Sequence, residues 1–466
     1  MTADLRPYPA MKDSGVPWLG EVPEHWEVRR IKTLFHEKDE RSGDAGGLLL
    51  SLTRARGILP QAEASNRIAS AEDLSKYKVC RRRDLVMNRM QAWSGMFAVS
   101  PQDGLVSPDY SVFDPVGALV VKYFEHLFKT PVLVDQFAQR SKGIGSGFNR
   151  LYTPEFGSVP VVVPPLPEQA AIVRFLDHAD RRIRRYIRAK QKLIKLLEEQ
   201  KQAIIHRAVT RGLDPNVRLK PSGVEWLGDV PERWEVRRNG RLFLQRNETG
   251  FADLPILEVS LRTGVRVRDF ENSERKQVMT DRDKYKRAAV GDIAYNMMRM
   301  WQGAVGVAPT EGLISPAYVV AQPLAGTISR YFARLFRTAA YMAEVDKFSR
   351  GIVKDRNRLY WEDFKRMPSC YPPPLEQMEI ADAIDDACGK VDAGIHRVHQ
   401  EIALLREYRT RLIADVVTGK LDVREAASLL PDEPDEPELA DEAEAPLETE
   451  ESQADDLDAI PEEAEA

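Results

Sequence analysis

The segment SGVPWLGEVPEHWEVRR at residues 14–30 occurs again as SGVEWLGDVPERWEVRR at residues 222–238, with 14 of its 17 positions identical. The same offset of 208 residues aligns Asp84–Tyr110 with Asp292–Tyr318, Asn149–Tyr152 (NRLY) with Asn357–Tyr360, and Glu168-Gln169 with Glu376-Gln377. No insertion is needed to keep this register, which indicates a tandem duplication. The chain is therefore predicted to contain two copies of one unit of about 208 residues.

The first part of each copy mixes short apolar runs with turn residues. Strands are predicted at residues 48–52, 84–88, 158–163 and 292–296. The aromatic and leucine residues at 123, 124, 127 and 128, repeated at 331, 332, 335 and 336, have the spacing of a buried helix face. We predict an α/β (α+β) domain with a mixed sheet in each copy. The matched tryptophans Trp18, Trp26, Trp226 and Trp234 are interpreted as core residues.

The second part of each copy is predicted to be a long helix. It begins after PPLPEQ (residues 164–169) or PPPLEQ (372–377) and continues to about Thr210 or Thr418 without further proline. The second helix carries apolar residues at alternating steps of four and three, a heptad seam: Val391, Ile395, Val398, Ile402, Leu405, Leu412 and Val416. The first helix has the equivalent Ile183, Ile187, Ile194, Leu197 and Ile204, with Lys190 and Lys201 in the seam. Antiparallel packing of the two helices as a rigid spacer is predicted.

The predicted boundaries follow from this repeat. They are a first domain at 1–165, a first helix at 166–213, a second domain at 214–373, a second helix at 374–424 and a tail at 425–466.

Charge is distributed unevenly along the chain. Residues 432–466 contain 17 Asp or Glu and no Lys or Arg, so residues 1–431 carry +12 although the whole chain carries −5. The acidic tail has the composition of a disordered segment, with a solvating role favoured over nucleic-acid mimicry. The basic remainder fits a polyanionic partner. Three widely spaced cysteines and the lack of long apolar runs predict a cytoplasmic location.

Signatures of catalysis and of cofactor binding are missing from the sequence. There is no Walker loop and no glycine-rich nucleotide turn after a strand. His396 and His399 have no clustered Cys or acidic residues beside them, so no metal site is predicted. SPDY (107–110) and SPAY (315–318) lack the second proline of an amino-methyltransferase loop and are interpreted as structural turns. The chain is therefore expected not to be an enzyme.

Basic and amide side chains recur at matched loop positions but differ between the copies, which is what two readers of different sequences require. Such side chains bond base edges or phosphates. The candidate DNA-binding residues of the first copy are Arg54, Arg56, Asn88, Arg89, Gln91, Lys142, Asn149 and Arg150. Those of the second copy are Arg262, Arg266, Arg268, Asn296, Arg299, Gln302, Lys354, Arg356, Asn357 and Arg358. The first long helix is also basic, which fits a solvated face, an acidic partner or the DNA backbone.

The chain resembles the specificity subunit of type I restriction-modification systems from residue 14 to about residue 422. The resemblance rests on the repeated GVxWLGxVPxxW segment, the NRLYxxxF stretch and the PPxxEQ start of each long helix. It implies two target-recognition domains that each read half of a bipartite, asymmetric DNA site. It also implies helices that set the spacing and dock two modification subunits, which methylate adenine with S-adenosylmethionine. Two restriction subunits that use ATP and Mg²⁺ complete such systems.

Three alternatives stay open at this point. The chain could target a system that only methylates, which its sequence does not separate from a restricting one. A single-chain methyltransferase is disfavoured because the cofactor loop is missing. A coiled-coil scaffold without a DNA role is disfavoured by the basic residues 1–431 and the loop chemistry.

Overall fold

The computed structural model describes residues 5–43, 46–54, 56–64, 74–143, 149–268, 282–351 and 357–431. These residues form two compact units. The first unit combines the chain up to residue 190 with residues from 400 onwards, and the second unit comprises residues 191–399. Each unit therefore joins one α/β part to segments of both long helices, whereas the sequence analysis divided the chain into consecutive domains.

Twelve strands belong to the first unit. They are β1 (Met11–Asp13), β2 (Glu21–Pro23), β3 (Glu27–Arg30), β4 (Phe35–Lys38), β5 (Leu50–Thr53), β6 (Gly57–Pro60), β7 (Lys78–Cys80), β8 (Leu85–Asn88), β9 (Phe97–Val99), β10 (Gly104–Val106), β11 (Tyr110–Pro115) and β12 (Pro160–Val163).

Twelve further strands of the second unit repeat this order. They are β13 (Leu219–Pro221), β14 (Asp229–Pro231), β15 (Glu235–Arg238), β16 (Phe243–Arg246), β17 (Leu257–Ser260), β18 (Gly264–Val267), β19 (Lys286–Ala288), β20 (Ile293–Asn296), β21 (Val305–Val307), β22 (Gly312–Ile314), β23 (Tyr318–Pro323) and β24 (Pro368–Tyr371).

Most of the helices also follow the repeat. They are α1 (Gln61–Ala64), α2 (Val121–Phe128), α3 (Pro131–Arg140), α4 (Thr153–Ser158), α5 (Leu166–Arg211), α6 (Ser329–Phe336), α7 (Ala339–Phe348), α8 (Trp361–Phe364), α9 (Pro374–Val417) and α10 (Arg424–Ser428). No helix among the described residues is long and apolar enough to cross a membrane.

A four-stranded sheet lies at the centre of each α/β part. Its order is β4-β11-β8-β9 in the first unit and β16-β23-β20-β21 in the second, and neighbouring strands pair antiparallel. Within the described ranges, parallel pairing is limited to the single bridges Leu49–Leu105 and Ile256–Leu313. The four-stranded sheets are thus antiparallel throughout, and the parallel bridges lie outside them, between the residue before β5 or β17 and strand β10 or β22.

The long helices begin and end where their sequences predict. Pro167 and Pro374 lie in the first turns, where a missing N–H costs no helical hydrogen bond. Gly212 and Gly419 follow the last turns with φ of +75° and +81°, the left-handed conformation that ends many helices.

Within the first unit, the beginning of α5 packs antiparallel on the end of α9. The seam residues Ile183, Ile187, Ile402 and Leu412 are buried. Asp180 accepts a hydrogen bond from Arg409, and Lys190 pairs with Glu401, so residue numbers rise along one helix as they fall along the other. Lys190 and Arg409, which interrupt the apolar seam, are therefore both paired with carboxylates of the opposite helix.

Within the second unit, the end of α5 packs on the beginning of α9 in the same sense. Lys201 Nζ lies 2.6 Å from Asp392 Oδ1. Gly394 faces Leu197, since a Cβ built on the glycine would be 4.0 Å from Leu197 Cδ1. The antiparallel pairing predicted from the heptads is therefore present in each unit.

The helix ends complete the cores of the α/β parts. In the first unit, Tyr123 donates a hydrogen bond to the carbonyl of Val417 at 2.9 Å. In the second unit, the equivalent Tyr331 donates to the carbonyl of Val209 at 2.8 Å. Both tyrosines are fully buried, and Val417 and Val209 are core residues. Each core thus depends on the end of the helix that belongs to the other repeat.

The PPxxEQ motif connects each domain to its own helix. Gln169 donates to the Pro164 carbonyl at 2.8 Å and accepts from the Val120 N–H at 2.9 Å. Gln377 makes the same two bonds, to Pro372 and from Ile328. Both glutamines are buried, so each one satisfies backbone groups that water cannot reach.

The glutamate of the motif binds the repeated opening segment. Glu168 accepts hydrogen bonds from Tyr8 and from Trp26 Nε1, the latter at 3.1 Å, and lies 2.8 Å from His25. In the second unit, Arg233 reaches Glu376 at 2.8 Å. Trp26 and Trp234 are fully buried core residues, as predicted from their repetition.

The folded part of the chain extends beyond the predicted start of the tail at residue 425. Helix α10 spans Arg424–Ser428, Ala427 is buried, and Leu430 packs against the same core. Ala427 in this short helix and Leu430 after it attach this end of the chain to the core of the first unit. Residues 432–466, with their 17 acidic residues, lie outside the described residues.

Glu125 is a buried carboxylate peculiar to the first unit. Burial alone would raise its pKa, but Lys129 at 2.7 Å and Lys122 at 3.2 Å lower that pKa to about 2. It also accepts a hydrogen bond from the Val99 N–H. The equivalent residue of the second copy is Ala333.

We expect Glu125→Gln to destabilise the first unit by about 2–3 kcal/mol at neutral pH, because it removes a carboxylate whose pKa is lowered on folding. A lowered pKa contributes stability above the ordinary value near 4.5 that is lost as the pH falls towards 2. The difference between variant and wild type should therefore shrink over that range. Hydrogen exchange at several pH values measures it, with the second unit as internal control. A difference that stays constant down to the acid end would contradict the assignment.

Candidate nucleic-acid interface

The predicted site residues of the first unit lie on three loops. Arg54 and Arg56 are at the tip of the β5–β6 hairpin, Asn88–Gln91 follow β8, and Lys142, Asn149 and Arg150 lie between α3 and α4. Side-chain exposure differs among them. Arg54, Arg56, Gln91 and Lys142 are exposed, whereas Asn88, Arg89, Asn149 and Arg150 are half-buried.

Arg54 connects the hairpin to the loop after β8. Its guanidinium donates to Ser94 O at 3.0 Å and to Ser94 Oγ at 2.7 Å. Trp93, in the same short 3-10 helix (Ala92–Ser94), is 40% exposed and donates its Nε1–H to Met90 O. The serine that binds Arg54 thus follows an exposed tryptophan directly.

Arg89 connects the second loop to the third. Its guanidinium donates to the carbonyls of Asp109 at 2.8 Å and Pro108 at 3.1 Å, while its own carbonyl accepts from the Leu151 N–H at 2.9 Å. The Asp109 carboxylate lies 3.8 Å from Arg89 and 3.9 Å from Arg150. The structure therefore brings all three predicted loops together in this unit.

The turns at 107–110 and 315–318 are structural, as predicted. Ser107 Oγ accepts from the Asp109 N–H at 3.3 Å, and Ser315 Oγ accepts from the Ala317 N–H at 3.4 Å. The serine carbonyl then accepts from the N–H of the tyrosine that closes each turn. In the first unit this turn supplies the carbonyls that hold Arg89.

In the second unit, Arg337 fixes the corresponding hairpin. It donates hydrogen bonds to the carbonyls of Leu261 and Arg262, at 2.9 Å for the latter. Burial, with the nearby Arg334, lowers the pKa of Arg337. Arg262 itself is exposed at the tip between β17 and β18. Arg337 was not predicted from the sequence, because it lies outside the loops and its matched residue is Lys129.

The remaining candidates of the second unit are distributed over the same loops. Arg266 and Gln302 are exposed, and Arg268, Arg299, Asn357 and Arg358 are half-buried. The Leu359 N–H donates to Met297 O at 2.8 Å, which repeats the joint between the second and third loops. Lys354 and Arg356 lie outside the described residues.

Two of the predicted contact residues shape a turn. Asn88 Oδ1 accepts from the Met90 N–H at 3.1 Å, and Asn296 Oδ1 accepts from the Met298 N–H at 2.9 Å. Asn296 is only 3% exposed. This shared turn explains why asparagine occupies the position in both copies.

Several exposed cations already have carboxylate or carbonyl partners. Lys142 lies 2.5 Å from Glu155, Arg266 lies 2.5 Å from Glu258, and Arg56 donates to Glu63 O at 2.7 Å. Such partners hold these side chains in defined positions. The half-exposed Tyr152 and Tyr360, which follow the NRL sequence, are further aromatic groups that the sequence analysis did not select.

Within the described ranges, no group of three His, Cys, Asp or Glu side chains is arranged to hold a metal ion. The cysteines Cys80, Cys370 and Cys388 are buried and unpaired in disulfides. The arrangement offers basic, amide and aromatic side chains on loops, fixed by backbone hydrogen bonds from beneath. Fold and loops together define a tandem-repeat α/β protein with two long helices.

Comparisons with known proteins agree with this class. The chain is 22% identical over 239 residues to a protein named as a type I restriction enzyme MjaX specificity subunit from Methanocaldococcus jannaschii. That match covers 47% of this chain and 52% of the relative, so the chain spans about half the length of the relative it matches. No protein-family model matches the chain.

Two solved structures share the fold over most of their length. A chain from work on complex assembly and conformational transition of the type I R-M system has a TM-score of 0.62 at 16% identity, covering 86% of this chain and 99% of that one. The HsdS subunit from Thermoanaerobacter tengcongensis has a TM-score of 0.51 at 16% identity, covering 86% and 98%. The chain therefore has the fold of type I specificity subunits, and the resemblance predicted from its sequence is confirmed.

Arg337→Ala should loosen the β17–β18 hairpin, because two carbonyls lose their donor. A loss of about 1–2 kcal/mol corresponds to amide exchange roughly 5–30-fold faster in that hairpin. Hydrogen exchange resolved by peptide measures the effect. Arg334→Ala is the matched control, since Arg334 lies three residues earlier, on α6, and pairs with Asp385 at 2.7 Å. Equal exchange in both variants would show that Arg337 does not hold the hairpin.

Proposed function

We propose that this chain is the non-catalytic DNA-recognition subunit of a type I restriction-modification complex, and that each unit reads one half of a bipartite, asymmetric site. One observation carries the proposal. The two units have the same strands and turns, yet their loops present different side chains, such as Arg89 against Met297 and Gln91 against Arg299. One framework with two loop sets suits two different half-sites.

The chemistry of the loops supports DNA as the ligand. Arginine forms two hydrogen bonds with guanine, and glutamine forms two with adenine. Each such pair contributes about 1–3 kcal/mol of discrimination against other bases. Lysine and other arginines position the protein on phosphates. The net charge of +12 on residues 1–431 supplies attraction that does not depend on sequence.

The long helices would set the distance between the half-sites. In this proposal the loops of each unit enter a major groove, roughly one helical turn apart. The ion pairs Lys190–Glu401 and Lys201–Asp392, with the buried seam around them, give the helices the rigidity of a spacer.

Partner subunits would carry out the reaction. Two modification subunits methylate adenine with S-adenosylmethionine, and two restriction subunits use ATP and Mg²⁺ where the system restricts. This chain would select the DNA site at which the complex binds. A modification subunit would flip the target adenine out of the base stack.

Adenine-methylation mapping tests the role directly. A genome that expresses this chain with its modification subunit should carry a bipartite methylated motif that is missing when this chain is left out. If the complex assembles but no new motif is found, the recognition role is wrong.

A heptad inserted in both long helices should lengthen the spacer between the half-sites and leave their sequences unchanged. Insertion at Leu197 and at Gly394 places the added turns opposite each other and preserves the seam. The added length is about 10 Å, roughly three base pairs. Methylation mapping of the variant gives the new spacer.

Gly394→Ala serves as the control for this insertion. Its added Cβ makes only ordinary contact with Leu197, so the spacer should not change. A spacer that also stays unchanged in the double insertion, in a folded and methylating complex, would exclude the helices as a ruler.

A further inference from the structure

The loop after β8 exposes a tryptophan that lies outside the predicted contact set. Trp93 belongs to the 3-10 helix Ala92–Ser94, and 40% of its surface is exposed. The matched Trp301 of the second unit is half-buried and packs against the core of that unit. One tryptophan of the pair therefore supports the framework, whereas the other lies at the surface of a candidate DNA-binding loop.

The backbone that carries Trp93 is closely packed. Ala92 is fully buried, and Gly95 ends the 3-10 helix with a φ of +84° while its N–H donates to Ala92 O at 2.9 Å. A Cβ built on Gly95 would lie 3.3 Å from Val134 Cγ2, so this loop rests directly on helix α3. The tryptophan therefore extends from a fixed position in the first unit.

A hydrogen bond within the loop determines what the indole ring can offer to a ligand. The Nε1–H of Trp93 donates to Met90 O at 2.8 Å. This N–H is the only hydrogen-bonding group of a tryptophan side chain. The exposed part of the ring is therefore apolar, and it can recognise a ligand by apolar contact but not by hydrogen bonding.

The neighbouring side chains are of the types that bind base edges. Gln91, two residues earlier, is exposed, and Ser94, the next residue, binds the exposed Arg54. In the second unit the residue after the tryptophan is Gln302, which is exposed. The same loop thus presents an apolar ring in one unit and an amide in the other.

Thymine is the base that an apolar ring can select in the major groove. It presents its C5 methyl group there, whereas the other bases present hydrogen-bond donors and acceptors. The adenine paired with it suits a glutamine, so Gln91 and Trp93 together fit an A·T base pair. Insertion of the ring between base pairs would require unstacking, whereas the methyl group is reached without it.

We propose that Trp93 is a specificity-determining residue of the first unit, and that it recognises an A·T base pair through apolar contact with the thymine methyl group. This inference rests on the proposed function and deepens it by naming one base of one half-site. The second unit, whose matched tryptophan packs against its core, does not make this contact from the same loop.

The test uses the complex of this chain with its modification subunit and a duplex that carries the motif found by methylation mapping. Each thymine of the motif is replaced in turn by deoxyuridine, which lacks only the methyl group. The wild-type complex should lose affinity about 4-fold at one thymine, the effect of one methyl group removed from an apolar contact. The Trp93→Ala complex should bind the thymine and uracil duplexes equally at that position.

Two further variants separate the apolar contact from other effects. Trp93→Phe keeps an apolar ring and should retain a preference for thymine of about 2-fold. Tyr152→Ala removes an aromatic side chain of similar exposure, 42%, from the end of the third loop, and should leave the preference of the wild type intact.

The outcomes distinguish this inference from the proposed function. If a motif is methylated but none of its thymines is sensitive to loss of the methyl group, or if Trp93→Ala keeps the wild-type preference, the role of Trp93 is wrong and the recognition role stands. A complex that assembles and methylates no motif would remove the recognition role, and the role of Trp93 with it.

Discussion

The fold depends on an exchange of helix ends between the two repeats. Tyr123 and Tyr331, at matched positions, each donate a buried hydrogen bond to the last turn of the helix that the other repeat contributes. Around these bonds, Val417 closes the first core and Val209 closes the second. Neither repeat holds a complete core of its own, because the residues that finish it lie in the other repeat, 294 positions from Tyr123 and 122 positions from Tyr331.

The repeated PPxxEQ motif holds the opposite end of each long helix, its start. Gln169 and Gln377 fasten the start of each helix to its own domain, and Glu168 and Glu376 fasten it to the opening segment. A buried glutamine that bonds two backbone groups cannot be replaced without leaving both groups unsatisfied. The strongest sequence similarities between the copies therefore mark joints of the framework, and the loops remain able to vary.

The sequence was sufficient for the repeat, the long helices and the loops, since each of these leaves a local pattern. Periodicity placed the seam, and the ion pairs confirm the antiparallel sense. Contacts that join distant residues leave no such pattern. Asn296 was selected as an exposed amide but is buried in a turn, because its position in strand β20 depends on the neighbouring strand. Arg337 was missed because its function depends on a hairpin some 75 residues earlier.

The two units also differ in the side-chain contacts that support their loops. The ion pair Lys38–Asp84 of the first unit corresponds to Arg246–Asp292 of the second. Both units therefore keep this ion pair, although the cation differs. Lys129 and Arg337 occupy matched positions but make different contacts. Lys129 pairs with Glu125, four residues earlier, whereas Arg337 donates hydrogen bonds to the tip of a hairpin. In the first unit Arg54 connects the hairpin to Ser94 instead. Each loop set thus has attachments of its own, so one unit can change its surface without disturbing the core that both units share.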